Sequence, residues 1–263
     1  MAVHSTRHTV LFTMLLCVVF SLAVSAVSVA LRERQEENRR LDRIKNVLQV
    51  AGLLERGERP PREELLRRFE ANLEPRVVAL ETGRYVEGAD AMGFDPRRAA
   101  SDPERSRPAP ENAARVRRVP HHALVFLLTS GGQLEGIVLP VEGYGLWSTM
   151  YGYLALEPDA RTIRGLTFYE HGETAGLGGE VDNPRWKALW PGRLASDETG
   201  EPRITVVKGR SGPPAEDPYR VDGISGATLT SNGVTHLLHF WLGEGGFGPY
   251  LAEVRRGAGE GAG

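Results

Sequence analysis

The sequence predicts an α+β protein: an N-terminal transmembrane helix, then a single soluble domain in which a mainly antiparallel sheet is packed by helices. Three observations carry this expectation. Residues 9–31 read TVLFTMLLCVVFSLAVSAVSVAL, with no charged side chain. Apolar runs at 122–129 and 134–140 flank Ser130-Gly131-Gly132-Gln133, the pattern of a β-hairpin. Beyond it, strand-like and helix-like stretches do not alternate regularly, which favours α+β over a doubly wound sheet.

The apolar segment comes first. At ~1.5 Å per residue its length reaches roughly 34 Å, enough to cross a bilayer core. A cleaved signal peptide is the rival, since Ala23-Val24-Ser25-Ala26 offers a small-residue cleavage site. The apolar run continues past it to Leu31, so an uncleaved, lipid-embedded anchor is preferred, with residues 1–8 as the short segment before it. Arg32, Arg34, Arg39, Arg40, Arg43 and Lys45 follow the span, and the positive-inside rule taken alone would keep the large domain in the cytoplasm. That rule weakens for long domains.

Residues 32–81 read as membrane-proximal helices. Leu41, Ile44, Val47, Leu48 and Ala51 mark one apolar face up to Leu54, 57–61 breaks the pattern, and 62–73 resumes a short helix. Residues 82–120 are rich in Pro, Arg and Ala and read as an exposed insertion or linker without chemistry. The folded core is expected over 121–256, with further strands at 161–170 and 203–208, a short helix at 183–190, and a last long helix at 229–242. A bulge is expected near Gly165, because Ile163 falls out of phase with Leu166 and Phe168. Residues 257–263 read as a flexible tail.

Composition removes several function classes. The 263 residues carry 32 basic and 34 acidic side chains, which gives no electrostatic case for nucleic acid. Cys17 is the only cysteine and lies in the apolar span, so the soluble part has no disulfide, thiolate nucleophile or Cys-based metal site. Gly143-Tyr144-Gly145-Leu146-Trp147-Ser148 lacks the third glycine of a dinucleotide fingerprint. Gly223-Ile224-Ser225-Gly226-Ala227 nearly matches a nucleophile elbow, but no acid and histidine follow in the required order. His236 and His239 lie one helical turn apart without a nearby carboxylate on their face, and no metal site is expected.

Three polar, glycine-rich stretches remain. Residues 143–152 combine Leu146 and Trp147 with Ser148 and Thr149. Residues 170–180 follow a strand and hold Glu173, Thr174, Gly176 and Leu177. Residues 221–234, VDGISGATLTSNGV, run hydroxyl-rich into the apolar helix. Such a junction gathers free N–H groups and the positive end of the helix dipole, and it suits a phosphate. Together the stretches offer apolar walls, backbone donors and an anion site, which are the needs of flavin mononucleotide, FMN.

The motifs GYGLWSTMYGYLAL, EHGETAGLGGEVDNPRWKALWPG and VDGISGATLTSNGV, in this order, resemble the NqrC family, FMN-bearing subunits of the Na+-translocating NADH:quinone oxidoreductases. The resemblance runs through nearly the whole chain and is thinnest in the Pro/Arg-rich stretch. One departure is Ala175, where the family usually has proline; this loosens the loop without removing a contacting group.

The resemblance implies FMN joined by a phosphoester to Thr228, attached by a separate FAD-dependent flavin transferase in the periplasm that reads a motif including Asp222. It therefore implies a single-pass protein of the bacterial inner membrane with its domain in the periplasm. It also implies a role as electron relay among other membrane and flavin subunits that oxidise NADH, reduce quinone and export Na+. Residues 9–31 carry no ionisable group besides Cys17, so the ion path is expected in those partners. The backbone amides from Gly226 through Ala227 and Leu229 to Thr230, with the Ser225 and Thr230 hydroxyls, are the candidates for holding the phosphate. Leu146, Trp147 and Leu177 are candidates for apolar contacts to the ring, and Ser148, Thr149, Glu173, Thr174 and Gly176 for edge or backbone contacts. The equivalent FMN-bearing subunit of Rnf-type electron-transport complexes, and a module holding FMN non-covalently, are the alternatives. The stretch GGEVDNPRWKALWPG and the insertion favour the first reading.

Overall fold

A computed structural model describes residues 6–55 and 57–260. The chain divides into two compact units, Met1–Ile44 and Lys45–Gly263. Helix α1 (Thr6–Val50) is continuous. The apolar span and the charged stretch after it are thus one helix, because no Pro or Gly interrupts them. Its first part, Thr6–Arg32, is long and apolar enough to cross a membrane and is not buried by the protein. Val47, Leu48 and Ala51 near its end are buried as their spacing predicts, whereas Leu41 is half-exposed.

The second unit continues with α2 (Arg62–Asn72), β1 (Leu73–Ala79), α3 (Pro96–Ser101), β2 (Ser106–Pro108) and β3 (Arg118–Pro120). Then come β4 (His122–Ser130), β5 (Gln133–Tyr144), β6 (Thr149–Leu156) and β7 (Ile163–Glu170). Strands β1-β4-β5-β6-β7 form one five-stranded sheet in that order, every pair antiparallel. The β4–β5 turn needs two positive φ angles, and Gly131 (58°) and Gly132 (82°) supply them without a Cβ penalty. In β7 the bulge falls at Arg164: Ala155 faces Gly165 while Leu156 faces Ile163.

The sheet is covered on both faces. Ala123, Val125 and Leu127 of β4 belong to the main apolar core, whereas Phe126 meets Phe69 of α2 edge-to-face at 5.9 Å. Alternate strand residues point to opposite faces, so helices lie on each. The main core is closed by α5 (Thr228–Leu242), whose Val234, Leu237, Leu238 and Trp241 are buried. Trp241 Nε1 donates to the Glu142 carbonyl of β5 (2.6 Å).

Several expectations are corrected. The Pro/Arg-rich stretch is not a bare linker: α3 and the β2–β3 ribbon bury Ala99, Ala114, Val116 and Val119, and all but Ala99 join the main core. The helix expected at 183–190 shrinks to α4 (Pro184–Lys187), capped by Asn183, whose Oδ1 accepts from Arg185 N–H (2.9 Å). The strand expected at 203–208 is only β8 (Thr205–Val206), paired in parallel with β9 (Arg220–Val221). A further helix, α6 (Gly248–Glu260), takes in most of the expected tail; residues 261–263 lie outside the described residues.

Candidate functional site

The three polar stretches converge on one carboxylate. Glu173 follows β7 in a loop and is 8% exposed. Its Oε1 accepts from the N–H groups of Leu146 and Trp147 (3.0 Å each), which sit in the turn between β5 and β6. Its Oε2 accepts from the Thr230 hydroxyl of α5 (2.5 Å). Burial alone would raise the Glu173 pKa, but the bonds from Thr230, Trp147 and Leu146 more than offset it and hold the carboxyl below its ordinary value. Glu173 thus stays ionised and latches the three segments together.

Further bonds fix the same junction. Gly172 N–H donates to Ser148 Oγ (2.6 Å). Glu173 N–H donates to His171 Nδ1 (3.3 Å), and His171 Nε2 reaches Asp182 Oδ2 (2.7 Å). The space is tight: a Cβ on Gly178 would lie 2.5 Å from Thr230 Oγ1 and 2.7 Å from Glu173 Oε2. A Cβ on Gly226 would lie 2.9 Å from Leu177 Cδ2, so the second stretch lies directly against the third.

These contacts revise two expected roles. Thr230 is fully buried and its hydroxyl donates to Glu173, so that hydroxyl does not face a phosphate. Two residues along an α-helix turn a side chain by about 200°, which sends Thr230 inward when Thr228 points out. The Glu173 carboxylate is engaged at both oxygens within the protein, so of the edge or backbone contact expected of this residue the structure leaves the backbone. The helix itself begins at Thr228, one residue earlier than expected.

Most of the remaining candidates are exposed, although Thr149 lines a separate cleft with Arg97 and Tyr151. Thr228, Ser225 and Gly226 are exposed, and Ala227 is buried beneath them. The N-cap residue of α5 is Ala227, which offers no capping side chain, and among the described residues the first amides of the helix stay available to an acceptor. Leu146 (37%), Trp147 (65%), Leu177 (45%) and Leu229 (58%) are unusually exposed large apolar side chains from the same three segments. Thr174 and Gly176 are exposed, while Ser148 and Thr149 are half-buried. Asp222 is already engaged: its Oδ1 accepts from the Ser211 N–H and hydroxyl (2.8 Å each). An outward hydroxyl at a helix start beside exposed apolar side chains fits a flat aromatic ring with a phosphate tail.

The chain is similar to known proteins in both sequence and fold. Residues 145–243 match the FMN-binding domain, which defines the class of the core. The chain is 45% identical over 256 residues to the NqrC subunit of the Na(+)-translocating NADH-quinone reductase of Pseudomonas aeruginosa, covering 96% of this chain and 97% of that one. It is likewise 45% identical over 258 residues to the corresponding Yersinia pestis protein, covering 97% and 95%. The crystal structure of Shewanella oneidensis NqrC superposes with a TM-score of 0.77 at 35% identity, covering 84% of this chain and 99% of that one. The protein belongs to the NqrC family of Na+-translocating NADH-quinone reductase subunits.

Proposed function

We propose that this protein carries FMN on the Thr228 hydroxyl oxygen through a phosphoester and relays electrons within a Na+-translocating NADH:quinone reductase, anchored in the inner membrane by Thr6–Arg32 with its domain in the periplasm. The observation that carries the reading is the exposed Thr228 hydroxyl at the uncapped start of α5, beside exposed Leu146, Trp147, Leu177 and Leu229. The flavin ring, when bound, supplies the redox chemistry. This chain's residues bind, orient and shield. Thr228 fixes the phosphate end, the four apolar side chains cover the ring, and backbone and hydroxyl groups of Ser148, Thr174 and Gly176 meet its polar edge.

Attachment replaces the Thr228 hydroxyl proton by the FMN phosphoryl group, with FAD as donor through a flavin transferase and AMP as the leaving product. Asp222 belongs to the motif that enzyme reads, and its Ser211 bonds hold the motif in one conformation. The domain accordingly works in the compartment of the transferase, the periplasm. The other membrane and flavin subunits supply electrons, accept them and conduct Na+.

The experiment is direct. After co-production with the transferase, full-length protein boiled in detergent should retain yellow in-gel fluorescence. Thr228→Val should abolish it while the protein still folds; covalent flavin persisting in that variant would remove Thr228 from its role.

A further inference from the structure

Beside Thr228, on a side lined by no residue of the ring-facing set, lies a cleft of about 460 Å³. Its lining includes Lys208, Arg210, Asp222, Ser225, Thr228 and Asn232. Lys208 and Arg210 are exposed, and neither side chain forms a hydrogen bond or ion pair among the described residues. Asp222, the one carboxylate among the lining residues, is already held by Ser211. Two unpartnered cations therefore face one hydrogen-bonded anion, and the cleft is net cationic.

The backbone pins these cations in place. Val207 N–H donates to the Val221 carbonyl (2.9 Å), extending the β8–β9 pair. Gly223 N–H donates to the Gly209 carbonyl (2.9 Å). Lys208 and Arg210 thus flank a residue bonded directly to the loop that leads into Thr228, and both line the same cleft as its side chain.

We infer that Lys208 and Arg210 are the counter-charge for the flavin phosphate on Thr228. This cleft is then the phosphate side of the site, and the Leu146, Trp147 and Leu177 surface is its ring side. The inference rests on the proposed phosphoester and adds the residues that neutralise it. The partial charge of the α5 N-terminus and the two full charges act together on one anion. Because both cations are exposed, their effect is screened by salt.

The test uses full-length, detergent-solubilised protein: wild type, Thr228→Val, the double variant K208Q/R210Q and the charge-conserving K208R/R210K. Covalent loading is followed by in-gel fluorescence during incubation with FAD and the transferase at low and high salt. Loaded protein is then examined by 31P NMR. The double Gln variant should load about tenfold more slowly at low salt, as expected for losing a charge-assisted contact, and should lose the salt dependence of the wild type. Its 31P resonance should shift, whereas K208R/R210K should resemble wild type in both readouts. Single Gln variants should fall between. An unmoved 31P resonance in K208Q/R210Q would overturn the inference whatever the loading rate, because slower loading alone could reflect recognition by the transferase. Covalent flavin in Thr228→Val would instead overturn the underlying phosphoester.

Discussion

Thr228 and Thr230 stand two positions apart on α5 and meet opposite environments: one hydroxyl is open to solvent, the other is sealed against Glu173. Replacing Thr230 with valine leaves Glu173 Oε2 buried without its donor, which should cost about 1–3 kcal/mol, read from urea unfolding of the full chain. The same pair sets an acid sensitivity. The folded-state pKa of Glu173 lies below its ordinary value of 4.5, so its contribution is present above that pH and is lost as pH falls through the depressed value. Thr230→Val raises the folded value, so its stability should fall less steeply in acid than that of the wild type. The sequence shows Thr228 as a hydroxyl near a helix start, and counting helical phase from it would have placed Thr230 inside. It does not show the Glu173 latch, because no spacing rule links residues 146, 173 and 230 before the chain folds.

At the scale of elements, the turn between β5 and β6, the loop after β7 and the start of α5 act as one assembly. Gly178 is its tightest point. Gly178→Ala would drive a methyl group into the Thr230–Glu173 bond, and overpacking of this kind should cost about 1–3 kcal/mol. Thermal melting checks the stability, and the variant should also load less covalent flavin. Strands with long apolar runs were readable from sequence, as at β4, where 123–128 are all buried. Elements held by few local signals were not. The helix α6 carries glycines at its start and end, yet Tyr250 and Leu251 are buried and hold it. The two-residue strand β8 exists because it pairs with β9 across a long sequence gap. That pairing also brings Lys208 and Arg210 beside Thr228, which no motif announces.

For the whole molecule, a long apolar helix early in the chain and an antiparallel α+β domain after it separate anchoring from cofactor binding. The charges from Arg32 onward argue for a cytoplasmic domain, while the proposed maturation by a periplasmic transferase argues the reverse. We place the domain in the periplasm on the second ground. A reporter fused after Gly263 should therefore be active when it requires export, such as alkaline phosphatase, and a fusion active only in the cytoplasm would contradict that orientation. The Pro/Arg-rich stretch belongs to the domain and not to a tether: α3 is tied to the sheet edge by Arg97, which forms a bidentate pair with Glu170 of β7 (3.2 and 2.7 Å) and stacks over Tyr151 at 3.8 Å.

Covalent flavin on Thr228 is tested by peptide mass mapping of the protein purified from its native membrane. The peptide containing Thr228 should carry the mass of FMN less one water, with fragmentation placing the addition on Thr228. An unmodified Thr228 peptide alongside flavin that elutes freely on denaturation would contradict the phosphoester.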